Sequence, residues 1–347
     1  MTDAAPGQHM RAEIAEQPQV FAAITARQAE IAQVATVLAE RRPRFVLLAA
    51  RGSSDHAALY AKYLIEVLLE LPAGLVSAST TTLYGAKPDL SDVLYLVVSQ
   101  SGGSPDLIEA TRQARLQGAL TVAVTNNPTS DLNSAAELSV DIGAGKEIAV
   151  AATKTYSATL LSLYLLIDAV RGGHGTDAMD LPALAAEALS TMESPVTEAV
   201  ARYRYVERMV TTGRGYSSAT AAEGALKLAE TTYLAARAYS GADLLHGPVA
   251  AIDSDTGVVA VTSAGKGGEA MREIVQAVRQ RGADVLAVGS AAQDMPASSR
   301  IPLPTTAEEV APILEVLPLQ SLALGLSLAR GGDPDNPRGL SKVTRTL

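Results

Sequence analysis

Leu96-Val97-Val98-Ser99-Gln100-Ser101-Gly102-Gly103-Ser104-Pro105-Asp106 carries an apolar strand straight into a loop suited to hold an anion. Ser99, Gln100, Ser101 and Ser104 offer side-chain donors, and Gly102 and Gly103 let the backbone approach a ligand closely. Pro105 suits the first turn of a helix, where its missing N–H is one the helix leaves unbonded anyway. The free N–H groups and dipole of that helix favour a phosphate. Taken alone, the stretch also fits a serine-rich turn with an ordinary N-cap, so the rest of the chain has to decide.

Outward from this loop, short β-rich runs alternate with long helical ones, as in a parallel sheet covered by helices. The first half predicts strands over Phe45–Ala49, Leu75–Ser77, Val93–Val98, Leu120–Val124 and Leu138–Ile142, with helices over Asp55–Leu71, Pro105–Gln117 and Thr153–Val170. The second half repeats the plan. Its predicted strands are Arg208–Thr212, Val258–Thr262, Val285–Val288 and Arg300–Leu303, and its helices Thr220–Arg237, Gly268–Arg281 and Ala307–Arg330. The repeat also shows in letters: Ala50-Arg51-Gly52-Ser53-Ser54 follows the first strand of one half and Gly213-Arg214-Gly215-Tyr216-Ser217 that of the other. The fold class is therefore α/β, two parallel-sheet sandwiches in tandem that arose by duplication. The second-half counterpart of the serine loop reads Ser263-Ala264-Gly265-Lys266-Gly267-Gly268-Glu269, and Glu269 would repel a phosphate. One phosphate site is expected, in the first half.

The chain has 347 residues, room for two domains of ordinary size. No apolar run approaches the roughly 20 residues of a membrane span. The first residues lack a basic stretch followed by an apolar one, so no secretory signal is expected and the cytoplasm is the expected compartment. With no Cys there is neither disulfide nor thiol nucleophile. The formal charge of −9 comes without the basic block that nucleic acid would call for. The four histidines, His9, His56, His174 and His246, have no metal-ligand spacing, and neither a metal nor another cofactor is expected.

Glu223, Lys227 and Glu230 stand at i, i+4 and i+7, on one face of a helix with the lysine between two carboxylates. On an exposed helix this would be a solvated ladder of little energetic value. His246 lies in Leu244-Leu245-His246-Gly247-Pro248, where Gly-Pro makes a loop, and a lone loop histidine is most often an ordinary surface residue. Lys342 lies close to the end of the chain, past the Gly331-Gly332-Asp333-Pro334 break, where a lysine is usually mobile and solvated. Lys154, at the start of its helix, reads as structural.

Five ordered motifs change these readings: Ser99-Gln100-Ser101-Gly102, Ala152-Thr153-Lys154, Glu223-Gly224-Ala225-Leu226-Lys227-Leu228, Leu245-His246-Gly247-Pro248 and Pro337-Arg338-Gly339-Leu340-Ser341-Lys342. Together they resemble the sugar isomerase (SIS) family in its tandem form, above all the isomerase half of glucosamine-6-phosphate synthase and the SIS-type amino-sugar phosphate deaminases. The resemblance implies flavodoxin-like layers, a first SIS domain over 30–173 that binds phosphate, a linker over 174–197, a second SIS domain over 198–330 and an ordered active-site tail over 331–347. It also implies roles. Ser53, Ser54, Ser99, Gln100, Ser101 and Ser104 would contact the phosphate and sugar. Glu230, beside Lys227, would shuttle a proton between C1 and C2 of the open-chain sugar. His246 would open the ring, reaching in from the neighbouring subunit of a homodimer, and Lys342 would form a Schiff base with a ketose carbonyl. Departures from the synthase pattern are Gly103-Ser104 in place of Glu-Thr, and Ala152 in place of Ser. The synthase's glutaminase domain has no counterpart in this sequence, so the chain is not expected to take ammonia from glutamine by itself.

The expected activity is thus deamination and isomerisation of glucosamine 6-phosphate to fructose 6-phosphate and ammonia. An alternative is dehydration of N-acetylglucosamine 6-phosphate to an unsaturated sugar phosphate. A second alternative is a sugar-phosphate sensor without catalysis. The expected partners are a phosphorylated hexosamine and a second copy of the chain, with no nucleic acid and no membrane.

Overall fold

Strands that pair in parallel and are covered on both faces read as unbroken apolar runs, and β-rich runs of that kind build the two sheets of this protein. The computed structural model describes residues 5–342. In chain order the elements are α1 (Gln8–Ala15), α2 (Gln17–Ala26), α3 (Gln28–Arg41), β1 (Phe45–Ala49), α4 (Ser53–Leu68), β2 (Ala73–Leu75), α5 (Ser79–Thr82), β3 (Val93–Val98), α6 (Pro105–Leu116), β4 (Leu120–Thr125), α7 (Asp131–Ala135), β5 (Leu138–Asp141) and α8 (Lys154–Val170). There follow α9 (Leu181–Thr191), α10 (Glu193–Tyr203), β6 (Arg208–Gly213), α11 (Ser217–Thr232), β7 (Ala235–Ser240), α12 (Gly241–Leu245), β8 (Thr256–Val261), α13 (Lys266–Arg279), β9 (Asp284–Gly289), β10 (Ser299–Pro302) and α14 (Ala311–Ala329).

The chain folds as two compact units. One comprises residues 19–147 and 154–179 with Ser341 and Lys342; the other comprises 5–18, 148–153 and 180–340. The first unit holds the sheet β2-β1-β3-β4-β5, with Leu48 opposite Leu75 on one side and Leu96 on the other. Every residue of β4 is buried, as is all of β3 after Val93. Leu107, Ile108, Ala110 and Ala114 of α6 pack on one face of this sheet, and α8 packs with α3 and α4. The second unit holds β10-β9-β8-β6-β7, the same strand order read from the opposite edge. Here Met271, Ile274, Val275 and Val278 of α13 pack against Val258, Ala260, Val285 and Ala287 of the sheet. By length and composition α14 could cross a membrane, but its most apolar window is 83% buried within the protein, and it packs on α11, α10, α9 and α1. It is a core helix.

The strand expected over Leu75–Ser77 lies instead at Ala73–Leu75, and one predicted helix takes in a strand. The helix expected to run to Arg237 stops at Thr232, because Tyr233 takes a left-handed conformation (φ 59), and Ala235–Ser240 pairs in parallel with β6 as an edge strand. Ala235-Ala236-Arg237-Ala238 has helical propensity, and sheet pairing overrides it. Both α4 and α11 begin earlier than expected, directly after Gly52 (φ 58) and close behind Gly215 (φ 61), the two matching positions that need a left-handed residue.

Of the tail expected over 331–347, residues 343–347 lie outside the described residues, and Asp335 and Arg338 are tied to the rest of the unit. Tyr233 Oη accepts the Arg338 N–H at 2.8 Å, and the Arg338 guanidinium lies 4.1 Å from the Tyr233 ring centre. The Asp335 carboxylate accepts the N–H groups of His9 and Met10, each at 2.8 Å, and so caps α1, whose own N-cap Gly7 offers no side chain. Asp335→Ala is expected to cost about 1–2 kcal/mol in urea denaturation. An unchanged midpoint would show that α1 does not depend on this cap.

Candidate active site

In a sheet of order 2-1-3-4-5 the connections leave β1 and β3 in opposite directions and open a crevice at the carboxyl ends of these strands. The two loops that border it in the first unit are residues 50–54 and 99–104. Gly52 turns the chain so that Ser53 and Ser54 begin α4, and both are partly exposed. Ser99 is 6% exposed, and its Oγ accepts the Gly102 N–H at 3.3 Å, while Ser101 Oγ accepts the Gly103 N–H at 3.3 Å. These two hydroxyls therefore shape the loop. Gly102 sits at φ 63, and a Cβ there would run into the Ser130 side chain. Ser104 is the extended N-cap of α6 but makes no capping bond with its side chain, and Pro105 follows as expected. Gln100, Ser101 and Ser104 are partly exposed.

Two residues that the sequence reading passed over belong to the same unit. Arg51 stands beside this crevice, its Nη2 2.8 Å from Oδ2 of the buried Asp106 in the first turn of α6. It adds positive charge next to the serine loop. Glu147 is buried, and its Oε2 accepts Lys342 Nζ at 2.6 Å and the Thr155 hydroxyl at 2.7 Å, while Oε1 accepts the Thr155 N–H at 3.1 Å. The Lys342 ammonium is thus held by a carboxylate fixed at the start of α8. Arg51 is signalled in sequence by its repeat partner Arg214; nothing local signals Glu147.

In the other unit, the Glu223, Lys227 and Glu230 side chains of α11 are 0%, 1% and 23% exposed. Lys227 Nζ lies 3.4 Å from Glu223 Oε1 and 2.5 Å from Glu230 Oε2. This is no solvated ladder. Burial draws the Lys227 ammonium down, but the charges of Glu223 and Glu230 outweigh it and hold the lysine above its ordinary value. Of the three, Glu230 alone reaches solvent. His246 is exposed at the carboxyl end of α12, its N–H bonded to Asp243 O at 3.1 Å, and Gly247 (φ 134) turns the chain after it.

The second sheet has an equivalent crevice between β6 and β8, and carboxylates of the chain fill it. Glu308 Oε2 accepts the Lys266 N–H at 3.0 Å and Oε1 the Gly267 N–H at 2.7 Å, at the N-terminus of α13 where an anion would otherwise bind. Ser217, which matches Ser54 in the repeat, donates to Glu315 Oε1 at 2.9 Å; Thr220 donates to Oε2 at 3.1 Å, and Ser263 Oγ lies 3.2 Å from Ser217 Oγ. The donors of the second copy are thus engaged by Glu308 and Glu315, rather than guarded by Glu269 as the sequence suggested.

The sequence pattern of the SIS domain matches this chain twice, over residues 40–169 and 203–330. A glutamine–fructose-6-phosphate aminotransferase of Gloeobacter violaceus is 36% identical over 313 residues, an alignment that takes in 86% of this chain and 51% of that protein. The chain spans about half the length of such relatives. Among solved structures, a candidate phosphosugar isomerase from Silicibacter pomeroyi DSS-3 is 33% identical with a TM-score of 0.85, over 94% of this chain and 99% of that one. The C-terminal domain of glucosamine-fructose-6-phosphate aminotransferase from Francisella tularensis is 25% identical with a TM-score of 0.85, over 96% of this chain and 99% of that one.

Burial pushes the Glu315 carboxyl up from 4.5 to about 7, with the hydroxyls of Ser217, Thr220 and Ser263 drawing it down and Glu308 adding to the rise. An acid whose value is raised by folding stabilises the protein fully below its unfolded value and loses that contribution as pH rises through the folded one. Between about pH 4.5 and 7 the parent should therefore lose stability relative to Glu315→Gln. By pH 8 the variant should have gained on the order of 3 kcal/mol compared with its standing at pH 4. Urea denaturation at both pH values tests this, and a difference between the two proteins that does not change with pH would contradict it.

Proposed function

This chain belongs to the SIS-domain family, and we propose that it is a hexosamine-6-phosphate deaminase and isomerase. The substrate is glucosamine 6-phosphate, and the products are fructose 6-phosphate and ammonia. The observation that carries this reading is the buried Glu223–Lys227–Glu230 group, in which a charged lysine holds a solvent-reaching carboxylate in one orientation. Mere binding of a sugar phosphate has no need of it.

In this reading the phosphate is bound by Ser53, Ser54, Gln100, Ser101 and Ser104, with Ser99 shaping the loop and the amide groups at the start of α6 facing the anion. Arg51 adds charge from beside the loop. His246 moves a proton between the ring oxygen and the anomeric hydroxyl, a task suited to imidazole near neutral pH. Glu230 then takes the C2 proton of the open-chain aldose while O1 gains a proton from water, leaving an enolamine, and returns a proton to C1 as the C2 nitrogen loses one to water. The nitrogen at C2 is now an imine. Once its ammonium has given a proton to Glu147, the Lys342 amine adds at C2 and expels ammonia, and water releases Lys342 to leave the ketose. Glucosamine 6-phosphate plus water thus gives fructose 6-phosphate plus ammonia. We place this activity in the cytoplasm and in a homodimer in which His246 serves the neighbouring subunit's sugar.

Deuterium incorporation at C2 of glucosamine 6-phosphate, followed by NMR, tests the central step. Glu230→Gln keeps the shape of the side chain and removes its basicity, so exchange should fall by about 10²–10⁴-fold while the sugar phosphate still binds. Exchange at the parent rate would mean that Glu230 serves only to pair Lys227. Product analysis by mass separates the alternatives, since an unsaturated product from the N-acetylated sugar would replace deamination by dehydration, and no turnover of either sugar would leave a sensor.

The phosphate contact has its own test. Ser104→Ala should raise KM by roughly tenfold, the equivalent of about 1.4 kcal/mol, with the urea midpoint unchanged, because this hydroxyl makes no capping bond. An unchanged KM would put the anion site elsewhere.

A further inference from the structure

Buried backbone outside helices and strands must find its hydrogen-bond partners among side chains or water. Residues 148–153 are such backbone: they belong to no helix or strand, and Ala149, Ala151 and Thr153 are buried. Side chains from distant parts of the chain hold both ends of the stretch. Glu13 of α1, 3% exposed, accepts the N–H of Ile148 on Oε1 and the N–H of Ala149 at 3.3 Å on Oε2. At the other end, Gln320 of α14 donates from Nε2 to Thr153 O at 3.0 Å, and Gln17 of α2 donates from Nε2 to Gln320 Oε1 at 2.9 Å. Gln17 and Gln320 are both fully buried.

A buried carboxylate is costly, and apolar side chains of similar volume would fill the same space at less cost. What the carboxylate adds is direction, since it fixes two consecutive N–H groups. The peptide it fixes follows Glu147 directly in the chain, and Glu147 is the carboxylate that receives Lys342 Nζ. The same stretch leads to Ala152, which is partly exposed and stands at one of the two departures from the synthase pattern.

We infer that Glu13 is a positioning residue for the proposed reaction: by holding the Ile148–Ala149 peptide it sets the backbone from which Glu147 reaches Lys342. Glu13 touches neither sugar nor phosphate. The inference rests on the function proposed above for its kinetic consequence, but not for its structural one.

The test uses the full chain with Glu13→Ala, Glu13→Asp and Glu13→Gln. Acetylation by acetic anhydride, read by peptide mass spectrometry, compares Lys342 with the exposed Lys87 in each folded protein. Release of ammonia, the step that needs Lys342, gives kcat and KM for glucosamine 6-phosphate. Glu13→Ala and Glu13→Asp, the latter charged but a methylene too short, should make Lys342 more reactive relative to Lys87. They should lower kcat by as much as about 10²-fold, the scale of a displacement transmitted to reacting groups, with little change in KM because the serine loop is untouched. Glu13→Gln keeps an acceptor at the right distance and should recover most of both. Lys342 reactivity and kcat at parent values in Glu13→Asp would overturn the inference, even if Glu13→Ala failed to fold. A parent without C2 exchange would overturn the proposed function instead, and the acetylation comparison would still decide the role of Glu13.

Discussion

Where two neighbouring strands of a parallel sheet send their connections to opposite sides, the backbone cannot close over their carboxyl ends, and a crevice remains. In the first unit this happens between β1 and β3, and the serine loop and the start of α4 are the two segments that border it. Much else about the loop follows from that constraint. The chain must turn sharply as it leaves each strand, so glycine stands at positions 52 and 102 with φ of 58 and 63. Each turn delivers the chain into a helix N-terminus, whose dipole makes the crevice attractive to an anion; at α6 the Asp106 carboxylate takes one first-turn amide, the Leu107 N–H, at 2.9 Å. Ser99 and Ser101 are engaged with the loop's own amides, leaving Ser104 at the cap of α6 without a capping bond.

The duplicated unit answers the same constraint in a different way. Its crevice has the same strand order and the same glycine turn, yet its amides receive Glu308 and its hydroxyls receive Glu315. A carboxylate supplied by the chain satisfies the helix end much as a phosphate would, and the second copy becomes a structural element. The helix that follows β6 holds a charged group of its own: Lys227 is buried between Glu223 and Glu230, and its charge survives burial because both carboxylates are within 3.4 Å. Tandem repeats of one fold thus hold different parts of the candidate machinery, phosphate donors and Lys342 in one and Glu230 and His246 in the other.

Much of this is legible in the sequence. Buried parallel strands announce themselves as apolar runs, so β1 and β3 are found at their observed limits and β4, β8 and β9 within two residues. The serine loop and the α11 trio are visible because each is contiguous or helically spaced. What escapes is what depends on distant partners. The edge strand β7 reads as helix because its pairing with β6 outweighs the propensity of an alanine-rich stretch. Glu13, Glu147 and Glu308 stand in no motif, and each is engaged by amides or an amine that only folding brings near. Spacing likewise leaves the α11 trio undecided between a solvated ladder and a buried group, since the difference lies in what packs over the helix.

In the function proposed, the two crevices differ in what they take: one the phosphate of a sugar, the other the chain's own carboxylates. A crystal structure of the protein with fructose 6-phosphate tests it most directly. The phosphate is expected on the 99–104 loop at the start of α6, with Glu308 still on the Lys266 and Gly267 amides. A phosphate at the start of α13 with Glu308 displaced, and none at the serine loop, would contradict it.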